Sequence, residues 1–484
     1  MEANIPTATT STHYDVLILG SGQAGNPLAV ALAARGKRTA LVEREAVGGT
    51  CINYGCTPTK TMVASAEVAH LARRGPEYGI HPGSDHPTTS SDVKLFVDMS
   101  TIRDRKRAMV NSWRSGSERS LKDVDLIHGE GSFLAPKQIL VNLNSGGQLT
   151  LSADLIVIDT GLSPTSPPIP GLDQVPFLDN VSIMELDHVP EHLLVLGGGY
   201  IGLEFAQMFR RFGSRVTIVQ DGAQLLPQED PDIADEIAKI LREDGLEVLL
   251  STHATAASYS GKAISLSVTR DGIPSTVTGS HLLVATGRKP NTASLNLSAA
   301  AVITDAHGFV QVDEHLRTNV HGIYATGDVN GGPEFTHIAY DDFRILKANL
   351  LDSPASPPTR TTKDRILPYC VFIDPQLGRV GLSEKQAKKQ GIPYRIARLP
   401  MTSVARAMET SQSRGFMKAL VDPHTQQILG AAILGLEGGE IMAMLQIAMI
   451  GKLKYPVLQS AVLAHPTLAE SLNNLFLKFD DKQP

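Results

Sequence analysis

Short apolar runs of strand length alternate with stretches of helical periodicity through most of the chain. Tyr14 to Leu19 (YDVLIL) reads as a strand that ends in GSGQAG; a helix, LAVALAARG, and a second strand, TALVER with Glu43 near its end, follow. The same order recurs further on: Leu193 to Leu196 run into GGGYIG, then a helix, LEFAQMFRRFG, and a strand, RVTIV. Glycines hold matching places in the two turns, Gly20, Gly22 and Gly25 in the first and Gly197, Gly199 and Gly202 in the second. That spacing suits a tight turn, close approach of backbone to a pyrophosphate, and close packing of helix on strand. An internal repeat of this kind predicts two dinucleotide sites, one per unit.

The remaining pattern supplies the other elements. TMVASAEVAHLARRG predicts a helix, and a charged helical span follows from Val93 to about Val124. The loop HPGSDHPTTSSD between them holds His81 and His86, which read as solvated rather than metal-bound because no further ligand accompanies them. LIVIDTG is a strand ending at Thr160 and Gly161; HLLVATGRKPN closes the second unit with Gly287 and Arg288; GIYATGDV ends in Gly327 and Asp328. A carboxylate at the C-terminal end of a parallel strand lies where ligands bind. The proline-rich segments SPTSPPIPG and SPASPPTRTT cannot sustain a helix or a central strand and mark domain boundaries. In AHPTLAESLNNLFLKF, Pro466 is expected to start a helix with Leu468, Leu472, Leu475, Phe476 and Phe479 along one face. His465 then stands at its start, with Glu470 just over a turn on.

Composition narrows the class. The chain has 484 residues, enough for about three domains, with 42% hydrophobic and 19% charged residues and a net charge of -6. Nothing in that balance points to nucleic acid or an anionic membrane, and RDRKR from Arg103 reads as a solvated helix face. No run reaches the roughly 18 to 20 apolar residues needed to span a bilayer. The polar start, MEANIPTATTSTHYD, has no secretory pattern, and three cysteines do not make a stapled extracellular protein, so a cytoplasmic location is expected.

Two of those cysteines lie in GGTCINYGCTPTK, Gly48 to Lys60. Five residues of regular helix rise about 7.5 Å, beyond the reach of a disulfide. Gly55 and Pro58 allow the turn to be deformed until Cys51 and Cys56 meet. With Thr50 opening a helix, Cys51 lies in its first turn, where the dipole is expected to lower the thiol pKa. The alternatives are unpaired core cysteines or half of a zinc site, for which the third cysteine, Cys370, is remote in sequence. Glu43 follows Gly20 by 23 residues and can accept ribose hydroxyl protons; Gln220 follows Gly197 by the same distance, with Asp221 next. No arginine or lysine lies from Gln220 through Asp230, which leans toward NADH without deciding against NADPH.

Together GSGQAG, GGTCINYGCTPTK, GGGYIGLE, ATGR, ATGD and HPTLAE, in one order over almost the whole chain, resemble the class I pyridine nucleotide-disulfide oxidoreductases. This is the family of dihydrolipoyl dehydrogenase, glutathione reductase and mercuric reductase. The resemblance implies an α/β fold with two Rossmann-like domains, for FAD and NAD(P), and a C-terminal α+β dimerisation domain. It assigns 1–163 and 291–352 to the FAD-binding domain, 164–290 to the NAD(P)-binding domain and 353–484 to the interface domain. FAD would be held by Gly20, Gly22, Gly25, Glu43, Gly49, Thr50, Thr160, Gly161, Gly327 and Asp328. NAD(P)H would be held by Gly197, Gly199, Ile201, Gly202, Gln220, Gly287 and Arg288. The resemblance further implies that Cys51 exchanges with substrate, Cys56 contacts the flavin, and Lys60 and Glu204 pair beside the isoalloxazine. His465 and Glu470 would act as acid/base and orienting partner, contributed by the other subunit of a homodimer.

The chain departs from its nearest patterns. The cysteine stretch is closer to mercuric-reductase-like proteins, although FDDKQP carries no vicinal cysteine pair, and the HPTLAE end is closer to disulfide reductases. The expectation is an FAD-dependent NAD(P)H oxidoreductase passing electrons through Cys51 and Cys56 to a disulfide, thiol or related acceptor. Reduction of a soft metal ion such as Hg(II) or Cu(II) is the enzymatic alternative, and a flavoprotein redox sensor the non-enzymatic one.

Overall fold

The computed structural model describes residues 12–81, 83, 86–90, 93–352, 360–363 and 365–479. Most of the second proline-rich segment and all but the first residue of FDDKQP lie outside them. The chain divides into two compact units, Met1–Thr61 with Arg103–Thr165 and Gly287–Arg365, and Met62–Ile102 with Ser166–Thr286 and Ile366–Pro484.

In the first unit the strand Thr12–Leu19 runs parallel to Thr39–Glu43 on one side and Gln148–Ile158 on the other, with Val16 opposite Thr39 and Leu155. Asp125–Ala135 and Ile323–Ala325 extend the parallel sheet at its two sides. Gln138–Leu143 joins the long strands Asp125–Ala135 and Gln148–Ile158 as an antiparallel ribbon. The central strands are apolar without alternation because both faces are covered. Leu17, Leu19, Val42 and Ile156 face one core with Phe133, while Val16, Ile18, Leu41 and Val157 face another with Leu28 and Phe343. The charged helix runs from Met99 to Ser120, shorter than expected at its start. Asp98 accepts the N–H groups of Ser100 and Thr101, which caps the helix there.

In the second unit His281–Val284, His192–Leu196, Arg215–Val219 and Glu247–Leu249 form a four-stranded parallel sheet in that order. The hairpin strands Thr252–Tyr259, Ile264–Arg270 and Ile273–Gly279 make a small antiparallel sheet. The C-terminal part is a five-stranded antiparallel sheet, in the order Pro368–Val371, Gln376–Gly381, Ile428–Gly435, Phe416–Val421 and Arg395–Pro400. The helix Gly438–Ile450 packs on its middle strands. Lys418 is buried here with its ammonium 2.8–2.9 Å from carboxylate oxygens of Asp230, Asp232 and Glu384. These three acids could otherwise hold a cation; the lysine fills that place.

The expected helix from Pro466 is only the five residues Ser471–Leu475. Thr467 Oγ1 donates to Ala464 O at 2.7 Å and accepts from Glu470 N at 3.3 Å. This local bonding builds a turn in place of the first helical turns. The apolar stripe nevertheless packs as expected, with Leu472, Leu475 and Phe476 buried and Leu468 and Phe479 against the same core.

Candidate active site

The cysteine stretch forms two helices, Gly49–Asn53 and Cys56–Arg73, broken at Tyr54 and Gly55. Gly55 serves close approach: a methyl group there would stand 3.0 Å from the Thr50 carbonyl oxygen and 3.3 Å from Cys51 Cα. Pro58 lies in the first turn of the second helix, where its missing N–H costs nothing. The break brings the two thiols into hydrogen-bond contact. Buried Asn53 fixes the short helix by directing its amide at the carbonyls of Ala46, Val47 and Gly49, at 3.0–3.1 Å.

The Cys51 thiol is raised, not lowered as the helix-dipole argument suggests. The hydrogen bond with Cys56 and then burial favour the protonated form, and one turn of helix cannot outweigh them. Thr336, at the start of the helix Thr336–Lys347, opposes this rise: its hydroxyl bonds Cys51 and lies 3.3 Å from Cys56 Sγ.

The cysteine stretch is tied to the first glycine turn. Ser21 Oγ donates to Glu43 Oε2 at 2.6 Å and accepts the Gly48 N–H at 3.0 Å. Gly49 has φ +63°, and a methyl group on it would strike Gly22 Cα at 2.7 Å. Glu43 also accepts the N–H groups of Ser21 and Glu45. Arg288, expected with the nicotinamide cofactor, belongs to the first unit, where it pairs with Asp328 at 3.2 Å and Glu334 at 2.5 Å. Burial pushes the Asp328 carboxyl up to about 6 although Arg288 pulls the other way.

In the second unit Gln220 takes the place of Glu43, accepting the Gly198 N–H at 2.7 Å. Glu204 is buried and accepts the Phe372 N–H at 2.9 Å. It opens on a cleft that also touches Met208, Asp374 and Glu437. Ile201 and Gly202 follow Gly199 into the helix Tyr200–Phe212. Lys60 lies in the first unit and Glu204 in the second. His465 Nδ1 lies 2.8 Å from Glu470 Oε2 in the second unit.

The residues present fit two dinucleotides. Gly20 and Gly197 take φ of +101° and +111°, and a methyl group on the third glycine would strike the carbonyl oxygen of the first at 2.4 Å in one turn and 2.2 Å in the other, so both turns have the same build. At Gly199 a methyl group would meet nothing within 4 Å and φ is an ordinary −78°, so no protein atom requires glycine there. The space suits a phosphate group. In the first unit the hydroxyl of Thr160 is buried and has no hydrogen-bond partner among the described residues, beside Gly161 at φ +64°.

Residues 14–342 match the model of the pyridine nucleotide-disulphide oxidoreductase family, and 367–476 match that family's dimerisation domain. The chain belongs to this family. Its members are FAD-dependent NAD(P)H reductases of disulfides or metal ions, and this chain is an enzyme of that kind. It is 37% identical over 470 residues to the probable pyridine nucleotide-disulfide oxidoreductase RclA of Escherichia coli K12, covering 96% of this chain and 98% of that protein. It is 35% identical over 470 residues to a mercuric reductase of Staphylococcus aureus, covering 96% of this chain and 82% of the other. A solved Cu(II) complex of the HOCl-induced flavoprotein disulfide reductase RclA from Escherichia coli superposes with a TM-score of 0.85 at 36% identity, covering 96% and 99% of the two chains. Among the described residues no helix of this oxidoreductase is long and apolar enough to cross a membrane.

Several members of the site escaped the motifs. Thr336 and Glu334 follow the Gly327–Asp328 turn by a few residues, Asn53 sits inside the cysteine motif, and Asp159 immediately precedes Thr160. A polar residue at the apolar end of LIVID was the one signal the sequence offered for Asp159.

Proposed function

We propose that the enzyme reduces a small disulfide through Cys51 and Cys56, in a cytoplasmic homodimer whose sites are shared between subunits. The observation that carries this reading is the meeting of the two sulfurs at the helix break, with the Thr336 hydroxyl beside both. Bound FAD and NAD(P)H supply the two electrons. Gly20, Gly22, Gly25, Glu43, Gly49, Thr50, Thr160, Gly161, Gly327 and Asp328 hold FAD; Gly197, Gly199, Ile201, Gly202 and Gln220 hold NAD(P)H. Lys60 and Glu204 serve beside the flavin ring. Gly287 leads into Arg288, which holds Asp328 in place.

The Cys51 thiolate attacks one sulfur of the substrate; a Cys51–substrate bond forms, the substrate S–S bond breaks, and the leaving thiolate takes a proton from His465 of the partner subunit. Glu470 orients that imidazole. Cys56 then displaces the second substrate thiolate from Cys51, which leaves the Cys51–Cys56 disulfide to be reduced again. The test is steady-state oxidation of NADH and of NADPH against lipoamide, low-molecular-weight disulfides, Hg(II), Cu(II) and a quinone. Disulfide turnover that disappears in Cys51→Ser and Cys56→Ser is expected; turnover surviving both changes overturns the reading.

Reduction of a soft metal ion is the second reading. It is favoured by the Cu(II) complex of the RclA relative and by two adjacent thiols, which make a soft ligand pair. Under it, His465→Ala leaves Cu(II) or Hg(II) turnover unchanged.

A further inference from the structure

Asp159 is used by none of the steps above, yet it lies under the first glycine turn. Its Oδ2 accepts the Gly25 N–H at 2.7 Å, and Oδ1 lies 3.4 Å from Thr326 Oγ1. A methyl group at Gly22 or Gly25 would stand 2.7 Å from Oδ2, so the carboxyl group fills the space beneath the turn. Two other acids act on it, Asp328 from the turn Gly327–Asn330 and Asp342 from the helix Thr336–Lys347. Asp328 pairs with Arg288 and Asp342 with Arg365. From the neighbouring strand, Glu43 is held by Ser21. Among the described residues no cation pairs with Asp159. Burial pushes its carboxyl well above the usual carboxylate range, against the Gly25 bond, and the charges of Asp328 and Asp342 add to the effect. An anion here would place negative charge behind the helix Gly25–Ala33, whose positive end faces an incoming pyrophosphate.

We propose that Asp159 is a positioning residue for FAD that acts as a neutral carboxylic acid. It locks the glycine turn to the strand end through Gly25 while leaving the helix N-terminus without a counter-charge. Ionisation of Asp159 weakens FAD binding, and a neutral amide in its place preserves it. The inference rests on the first turn taking the ADP half of FAD.

The experiment is FAD affinity of the deflavinated full-length protein, followed by flavin fluorescence from about pH 6 to about pH 10. In the wild type affinity falls at least about tenfold across that range. Asp159→Asn keeps the low-pH affinity throughout, and Asp159→Ala, which loses the Gly25 bond, binds weakly and without pH dependence. A wild type with no such fall, an Asn variant that follows the wild-type fall, or an Ala variant equal to Asn overturns the proposal. Infrared difference spectra of the wild type against Asp159→Asn give a second measurement: the protonated-carboxyl band lost in the variant disappears from the wild type with rising pH in step with FAD affinity, and its absence at every pH overturns the proposal. Glu43→Gln separates the underlying reading from the inference. It lowers FAD affinity without altering the pH slope; if it leaves affinity unchanged, the site reading fails, while the infrared band still decides the state of Asp159.

Discussion

Gln220 accepts the backbone N–H of Gly198 at 2.7 Å, the same bond that Glu43 makes to the N–H of Ser21 at 3.0 Å in the first unit. The two turns are therefore braced alike, by an amide in one and a carboxylate in the other. A neutral amide neither repels a ribose 2′-phosphate nor binds a 2′-hydroxyl as strongly as a carboxylate does. Gln220→Glu adds a charge worth about 1 kcal/mol or more against a phosphate at contact distance. The ratio of kcat/KM for NADH to that for NADPH should rise about tenfold. An unchanged ratio would place the adenosine ribose away from Gln220.

The Thr336 hydroxyl touches both sulfurs of the reduced pair and favours the thiolate. Thr336→Val keeps the shape and removes the donor. A hydrogen bond to a charged group is worth about 1.5–3 kcal/mol, so the thiolate pKa should rise by about one unit or more. Alkylation rates of the reduced pair, measured against pH, read this directly, and Thr336→Ser should restore the wild-type profile. A profile that does not move would mean that Thr336 is packing only.

Local spacing made much of this legible. Glu43 and Gln220 each lie 23 residues after the first glycine of their own turn, and the bonds of each follow from one strand-helix-strand unit. Cys51 and Cys56 were equally close to hand. Thr336 was not: it is 280 residues from Cys56 and reaches it only through the fold. The direction of the Cys51 shift was misread because a neighbouring sulfur outweighs one turn of helix dipole, a comparison that needs the contact itself. The helix expected from Pro466 failed for a local reason, the Thr467 hydroxyl competing for backbone groups, which a stripe of leucines does not reveal.

His465 Nδ1 lies 2.8 Å from Glu470, while the imidazole is 67% exposed. Solvent screens so exposed a pair, so the carboxylate acts chiefly on ring orientation. Glu470→Gln should lower kcat/KM for a disulfide about tenfold, and His465→Ala by about 10²–10⁴-fold. Turnover with a quinone should not change in either variant; a matching loss there would point to damage to the flavin site.

Lys418 is 2% exposed and has three carboxylates around its ammonium. The lysine pKa is raised despite burial because Asp232, Asp230 and Glu384 hold the charged form, and Asp230 is lowered by backbone N–H donors and by the lysine. A raised lysine contributes stability that is fully present below its unfolded pKa and is lost as pH rises through the folded one. A depressed aspartate contributes stability present above its unfolded pKa and lost as pH falls through the folded one. The cage therefore stabilises the enzyme through the neutral range and weakens at both extremes. Lys418→Met leaves buried Asp230, and the partly buried Asp232 and Glu384, without their cation, which should cost about 3–5 kcal/mol at neutral pH. Because those acids then gain protons more readily, the variant should regain stability on mild acidification while the wild type does not. Denaturant midpoints at about pH 5 and about pH 8 compare the two; a variant with the same pH dependence as the wild type would show that Lys418 does not neutralise this cluster.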